Sequence, residues 1–86
     1  MQVRFTVHAL RKFALLRRHG VSVSKRQVVG AVEEPDRVDY SRLPLLIAQV
    51  GWDKRRVLRV VYKVEGGTKI VITFYPGMKS QYEKES

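Results

Sequence analysis

His8, Arg59, Thr73 and Tyr75 are the side chains whose types, brought to one place, could move protons at a phosphodiester. Metal-free cleavage of RNA needs a group to take the proton of a ribose 2′-hydroxyl, a cation against the phosphorane charge, and hydroxyls that orient the phosphate and the leaving oxygen. His8 falls at the first turn of an expected helix, where the positive end of the dipole favours the uncharged imidazole that accepts a proton. Arg59 supplies the cation, Thr73 the orienting hydroxyl, and Tyr75 a ring to stack on a base or an O–H to donate. Each residue also has a purely structural use. His8 can hydrogen-bond at a helix start, Arg59 and Thr73 can pair across strands on a solvated face, and Tyr75 can pack beside Pro76.

Around these groups the chain is strongly basic. It carries 17 Lys and Arg against 8 Asp and Glu, a net charge of +9 over 86 residues. His8, Arg11, Lys12, Leu15, Arg18 and His19 recur at three- and four-residue steps, which lines cations along one side of a helix. Like charges at that spacing repel by about 0.2–0.5 kcal/mol per pair, a cost that a polyanion removes. Lys54, Arg55 and Arg56 form a second cluster, suited to phosphate contacts that position a nucleic acid without reading its sequence. Lys63 and Lys69 would add charge beside Arg59, and Trp52 either stacks on an exposed base or covers a core edge.

Several classes are disfavoured. The sequence has no cysteine, so disulfides, thiolate nucleophiles and Cys-based zinc sites are excluded, and a reducing cytoplasm suits it. The carboxylates at Glu33, Glu34, Asp36 and Asp39 and the two histidines have no regular metal-ligand spacing, so no metal is expected. Neither a Walker loop nor a Rossmann glycine pattern occurs, and no cofactor is implied. The apolar runs are too short or too interrupted to cross a bilayer, and no membrane association is expected.

The elements that must position these groups follow from local signals. Gln2 to Phe5 reads as a strand or extended lead-in. Thr6 is placed to cap a helix over 7–18 that Gly20 closes, with Val7, Leu10, Phe13, Ala14 and Leu16 facing inward. Ser22 or Ser24 caps a second helix that stops before Pro35. Four stretches rich in β-branched and aromatic residues then follow: Arg37 to Tyr40, Leu45 to Trp52, Val57 to Val64 and Lys69 to Tyr75. They predict one α+β domain over residues 1–86, in which two N-terminal helices pack on one face of a four-stranded antiparallel sheet. Residues 77–86 read as a charged tail, frayed or weakly helical.

The last hairpin has two registers. A two-residue Gly66-Gly67 loop sets Arg59 against Phe74 and Lys63 against Ile70. A three-residue loop beginning at Glu65 sets Arg59 against Thr73 and Lys63 against Lys69, and gives one apolar and one basic face. The second is the expectation, with Leu10, Phe13, Val60, Tyr62, Ile70 and Ile72 as core and His8, Arg59, Thr73 and Tyr75 gathered in one site.

His8-Ala9 with Lys12-Phe13, then Gly20-Val21-Ser22, Glu34-Pro35-Asp36-Arg37-Val38 and Val71-Ile72-Thr73-Phe74-Tyr75, resembles a family of small prokaryotic domains similar in outline to RelE-like and BrnT-like toxins. These share a fold with barnase and other metal-independent ribonucleases. The resemblance spans nearly the whole chain. It implies an RNA site on the sheet face away from the helices, with His8, Thr73 and Tyr75 at the family's polar positions and Lys12 where arginine is expected. It also implies RNA as substrate, including ribosome-associated mRNA, and an acidic antitoxin as partner. The two other readings are a non-catalytic nucleic-acid-binding or adaptor module, and an interaction domain that docks an acidic protein.

Overall fold

The computed structural model describes residues 2–82, and the ends of the two N-terminal helices are set by short-range signals in the sequence. Strand β1 (Gln2–Phe5) leads into helix α1 (Val7–Arg18) through Thr6, whose side chain accepts a hydrogen bond from the Ala9 backbone N–H. At the far end Gly20, with φ of +79°, reverses the chain; its N–H reaches Arg17 O and the Val21 N–H reaches Leu16 O, closing the helix carbonyls. Helix α2 (Lys25–Glu33) starts at a reciprocal cap in which Ser24 and Gln27 bond each other's backbone, and it stops at Glu34, just before Pro35.

Strands β2 (Arg37–Asp39), β3 (Leu46–Gly51), β4 (Arg56–Glu65) and β5 (Thr68–Met78) form the antiparallel meander. The architecture is α+β, with both N-terminal helices on one face, but the sheet has five strands rather than four. Its order is β1-β5-β4-β3-β2, and β1 adds to β5 in parallel. The segment expected as a frayed or weakly helical tail is strand and then helix through residue 82: Gly77 and Met78 extend β5, and Lys79–Tyr82 form a short helix, α3. Residues 83–86, the rest of that tail, lie outside the described residues.

The β4–β5 register departs from expectation in two steps. The loop is the two-residue Gly66-Gly67 turn, both glycines having positive φ, so Lys63 faces Ile70 and Val64 faces Lys69. A bulge then leaves Ile72 unpaired between the Tyr62–Val71 and Val61–Thr73 pairs, so Arg59 faces Tyr75, not Thr73 or Phe74. The bulge has a local cause. Thr6 Oγ1 donates to Ile72 O at 3.2 Å while its backbone N–H reaches Val71 O at 3.0 Å, so the helix cap also holds the irregular carbonyl. As a result Val71 and Phe74, three residues apart, both enter the core, and Thr73 and Tyr75 turn to the opposite face.

The core lies between helices and sheet, with Ala9, Val28, Val32, Val60 and Phe74 at its centre. Phe13 packs on Phe74 with ring centroids 4.5 Å apart. The phase of α1 differs from the expected one. Ala9, Lys12, Phe13 and Leu16 point inward, whereas Val7, Leu10 and Ala14 are exposed. Ala9 is the fully buried residue of α1. Of the six expected core residues, Phe13, Val60 and Tyr62 belong to the core; Leu10 is exposed, Ile70 lies on the other face, and Ile72 is taken out by the bulge. Lys69 lies on the helix side, where its ammonium donates to Val32 O at 3.0 Å and sits over the Tyr62 ring. The shorter loop puts it there, away from Lys63.

Candidate nucleic-acid interface

The sheet face away from the helices carries a polar row built by cross-strand register: Arg37 (β2), Gln49 (β3), Arg59 (β4) and Tyr75 (β5) lie side by side. Arg59 is its centre and is only 5% exposed. Its Nε donates to Tyr75 Oη at 3.1 Å, one terminal nitrogen to Gln49 Oε1, and the other to Asp39 Oδ2 at 2.9 Å. Burial opposes its charge, but the bonds to Tyr75 and Asp39 outweigh that and hold its pKa above the ordinary arginine value. Hydrogen bonds from Ser41, and then from Arg59, hold the Asp39 carboxyl at about 2. The Tyr82 ring of α3 lies against the guanidinium, with its centroid 4.0 Å from Cζ.

At the rim, Lys12 reaches past the β5 edge that β1 leaves free. Its ammonium donates to Thr73 Oγ1 at 2.9 Å and lies 5.9 Å from the Tyr75 ring centroid. Partial burial lowers its pKa. Lys12, Thr73, Tyr75 and Arg59 thus form one continuous chain of contacts from helix to sheet centre. His8 is exposed one turn before Lys12 on the same side of α1, and its side chain makes no hydrogen bond among the described residues. The expected grouping of Arg59, Thr73 and Tyr75 therefore holds spatially, through Tyr75 and not through direct Arg59–Thr73 pairing, and His8 stands at its outer margin.

The remaining cations divide by environment. Arg11 and Arg18 are exposed on α1. Lys54 and Arg55 are exposed at the β3–β4 turn, where the Asp53 carboxylate gathers the Arg55 and Arg56 backbone N–H groups and pairs with Arg56 Nε at 2.8 Å. Arg56 also lies over Trp52, 4.5 Å from its ring, while Trp52 packs on the core edge. Lys63 shares the polar face but pairs with Glu65 at 3.0 Å. Lys69 is on the opposite face. His19 ends α1 and is exposed.

Asp39, Gln49 and Tyr82 were not among the expected site residues. Gln49 had a readable signal, being the lone polar side chain in the apolar run Leu46-Ile47-Ala48-Gln49-Val50. Asp39 looked like one of several scattered carboxylates, and Tyr82 sat in a segment without periodicity. No helix among the described residues is long and apolar enough to cross a membrane. Comparison with protein-family models, with curated proteins and with solved structures finds no match for this chain.

Proposed function

We propose that this domain binds RNA across its polar sheet face and the basic side of α1, and cleaves it without a metal as a RelE-like toxin does. The observation that carries the reading is the Lys12–Thr73 contact beside Tyr75: an ammonium, an aliphatic hydroxyl and a phenol converge at the sheet rim, one helical turn from the exposed His8. A phosphate seated there would take hydrogen bonds from Lys12 and Thr73. His8 would accept the 2′-hydroxyl proton as the O2′–P bond forms, and the P–O5′ bond would break as Tyr75 or Lys12 protonates the departing 5′-oxygen, leaving a cyclic phosphate. Arg11, Arg18, Lys54 and Arg55 would hold the flanking backbone. An antitoxin with an acidic, amphipathic segment is the partner that such a basic surface fits.

A second reading is favoured by Arg59. Its guanidinium is already matched by Asp39, Gln49 and Tyr75, which suits a fixed binding platform better than a group that must meet new phosphorane charge. A non-catalytic RNA-binding or adaptor module would keep that platform and lack turnover. Incubation of labelled RNA with the purified protein in chelator separates the two: cyclic-phosphate ends that Lys12→Ala abolishes support cleavage, and salt-dependent binding with intact RNA supports the module. Absence of salt-dependent binding rejects both.

A further inference from the structure

One N–H on each of the three guanidinium nitrogens of Arg59 is committed, to Tyr75, Gln49 and Asp39, which fixes the plane of the group and presents its flat face as a stacking surface. That face is covered by Tyr82, held 4.0 Å from Cζ by a helix of four residues. One backbone bond, Lys79 N–H to Arg55 O, and one from a side chain, Arg37 Nη1 to Tyr82 O, fasten the segment, each 2.8 Å. No residue of α3 is buried, and a single turn of helix does not hold itself together. Tyr82 is therefore a displaceable cover.

The strand beneath is shaped to receive a ring. A Cβ at position 77 would lie 2.4 Å from Tyr82 Cε2 and 2.8 Å from Cδ2, so the aromatic plane rests on bare backbone where β5 carries a glycine. Glycine inside a strand costs stability and marks a close approach. The seat is thus an arginine plane beside a side-chain-free stretch of backbone, both suited to a planar aromatic group.

We propose that Arg59 is the stacking platform for a nucleobase of single-stranded RNA, and that Tyr82 occupies that seat until a base displaces it. This rests on the RNA-binding reading above and assigns within it a base subsite, separate from the phosphate position at Lys12 and Thr73. Stacking on a guanidinium plane is indifferent to base identity because every base has a π-face, so the subsite confers preference for unpaired RNA over duplex and not for a sequence. Because Tyr82 competes for the seat, it weakens binding of bases and not of backbone.

The test compares the full chain with Tyr82→Ala and Tyr82→Ser, both of which remove the ring and leave the backbone at Gly77 bare. Each is titrated by fluorescence anisotropy at low salt with a 2′-O-methyl oligouridylate, which cannot be cleaved through its 2′-oxygen, and with an abasic oligomer of the same length and charge. Thermal melts check folding. The expected result is that both variants bind the oligouridylate about fivefold or more tightly than the parent, the scale of one stacked base, with abasic binding within about twofold. Equal tightening for both oligomers, or no tightening for either, overturns the subsite while leaving RNA binding in place. Failure of parent and variants to bind either oligomer overturns the RNA reading and the subsite together.

Discussion

Lys12 Nζ and Thr73 Oγ1 are 2.9 Å apart although 61 residues separate them in the chain, so a helix near one end and the last strand share one polar contact at the rim of the sheet. The contact forms because β1 stops at Phe5, leaving the β5 edge beyond Val71 open for the lysine to pass. In the proposed cleavage, Lys12→Ala lowers the rate by about 100-fold or more, the scale of losing a group that assists proton transfer or charge neutralisation. RNA affinity falls only modestly, and the salt slope of binding by about one unit. Cleavage and binding measured on one preparation check this; equal losses in both would make Lys12 a phosphate anchor only.

His8 separates chemistry from packing cleanly, because it is exposed and its side chain holds no hydrogen bond among the described residues. His8→Ala should lower cleavage by about 100-fold or more and leave both RNA affinity and melting temperature nearly unchanged. A variant that cleaves at the parent rate removes His8 from the mechanism.

The Arg59–Asp39 pair governs stability in acid. Asp39 has an ordinary carboxyl pKa of 3.8 and a folded value of about 2, so its stabilising effect is complete above roughly pH 5 and is lost as pH falls through about 2. Asp39→Asn should cost about 1–3 kcal/mol at neutral pH, because it leaves the buried guanidinium short of a charged partner, and should flatten the pH dependence over that window. Denaturant titrations of parent and variant between pH 2 and 6 check both parts.

Thr6 joins three features: the cap of α1, the end of the β1 ladder and the Ile72 bulge. Thr6→Val keeps the shape and removes both hydroxyl bonds, and is expected to cost about 1–2 kcal/mol, with the larger value if the bulge relaxes. Chemical denaturation gives the cost. Amide chemical shifts at Ile72 to Tyr75 report whether the register moves.

What the sequence made legible is what short-range chemistry decides. Thr6, Gly20 and Pro35 each mark a helix boundary through their own hydroxyl or backbone restriction and agree with the structure, which also decides between Ser22 and Ser24 in favour of Ser24. Of the β4–β5 register, the two-residue Gly66-Gly67 loop was one of the two arrangements the sequence offered, whereas the bulge at Ile72 was not legible because the bond at it, Thr6 to Ile72, spans 66 residues. The phase of α1 was hidden for a related reason. Lys12 breaks the apolar face because its partner is the distant Thr73, so hydrophobic spacing alone turned Leu10 inward. The site was half visible: Arg59 and Tyr75 stand out by type, whereas Asp39, Gln49 and Tyr82 acquire meaning only once the strands lie in order.

The parallel pairing of β1 with β5 sets the order in which the domain can come into being. Gln2–Phe5 is made before the other described elements, yet the backbone that completes its ladder, Thr68–Val71, follows more than sixty residues later. The partner edge, the seat for the α1 cap and Phe74, against which Phe13 packs, all arrive with that final strand. Closing so long a loop is entropically costly until the hairpin exists to reward it. The nascent chain therefore emerges with α1 lacking its main packing partner, β5, and with the rim unbuilt, and a ribosome making this domain meets the assembled polar face only after β5 has been translated.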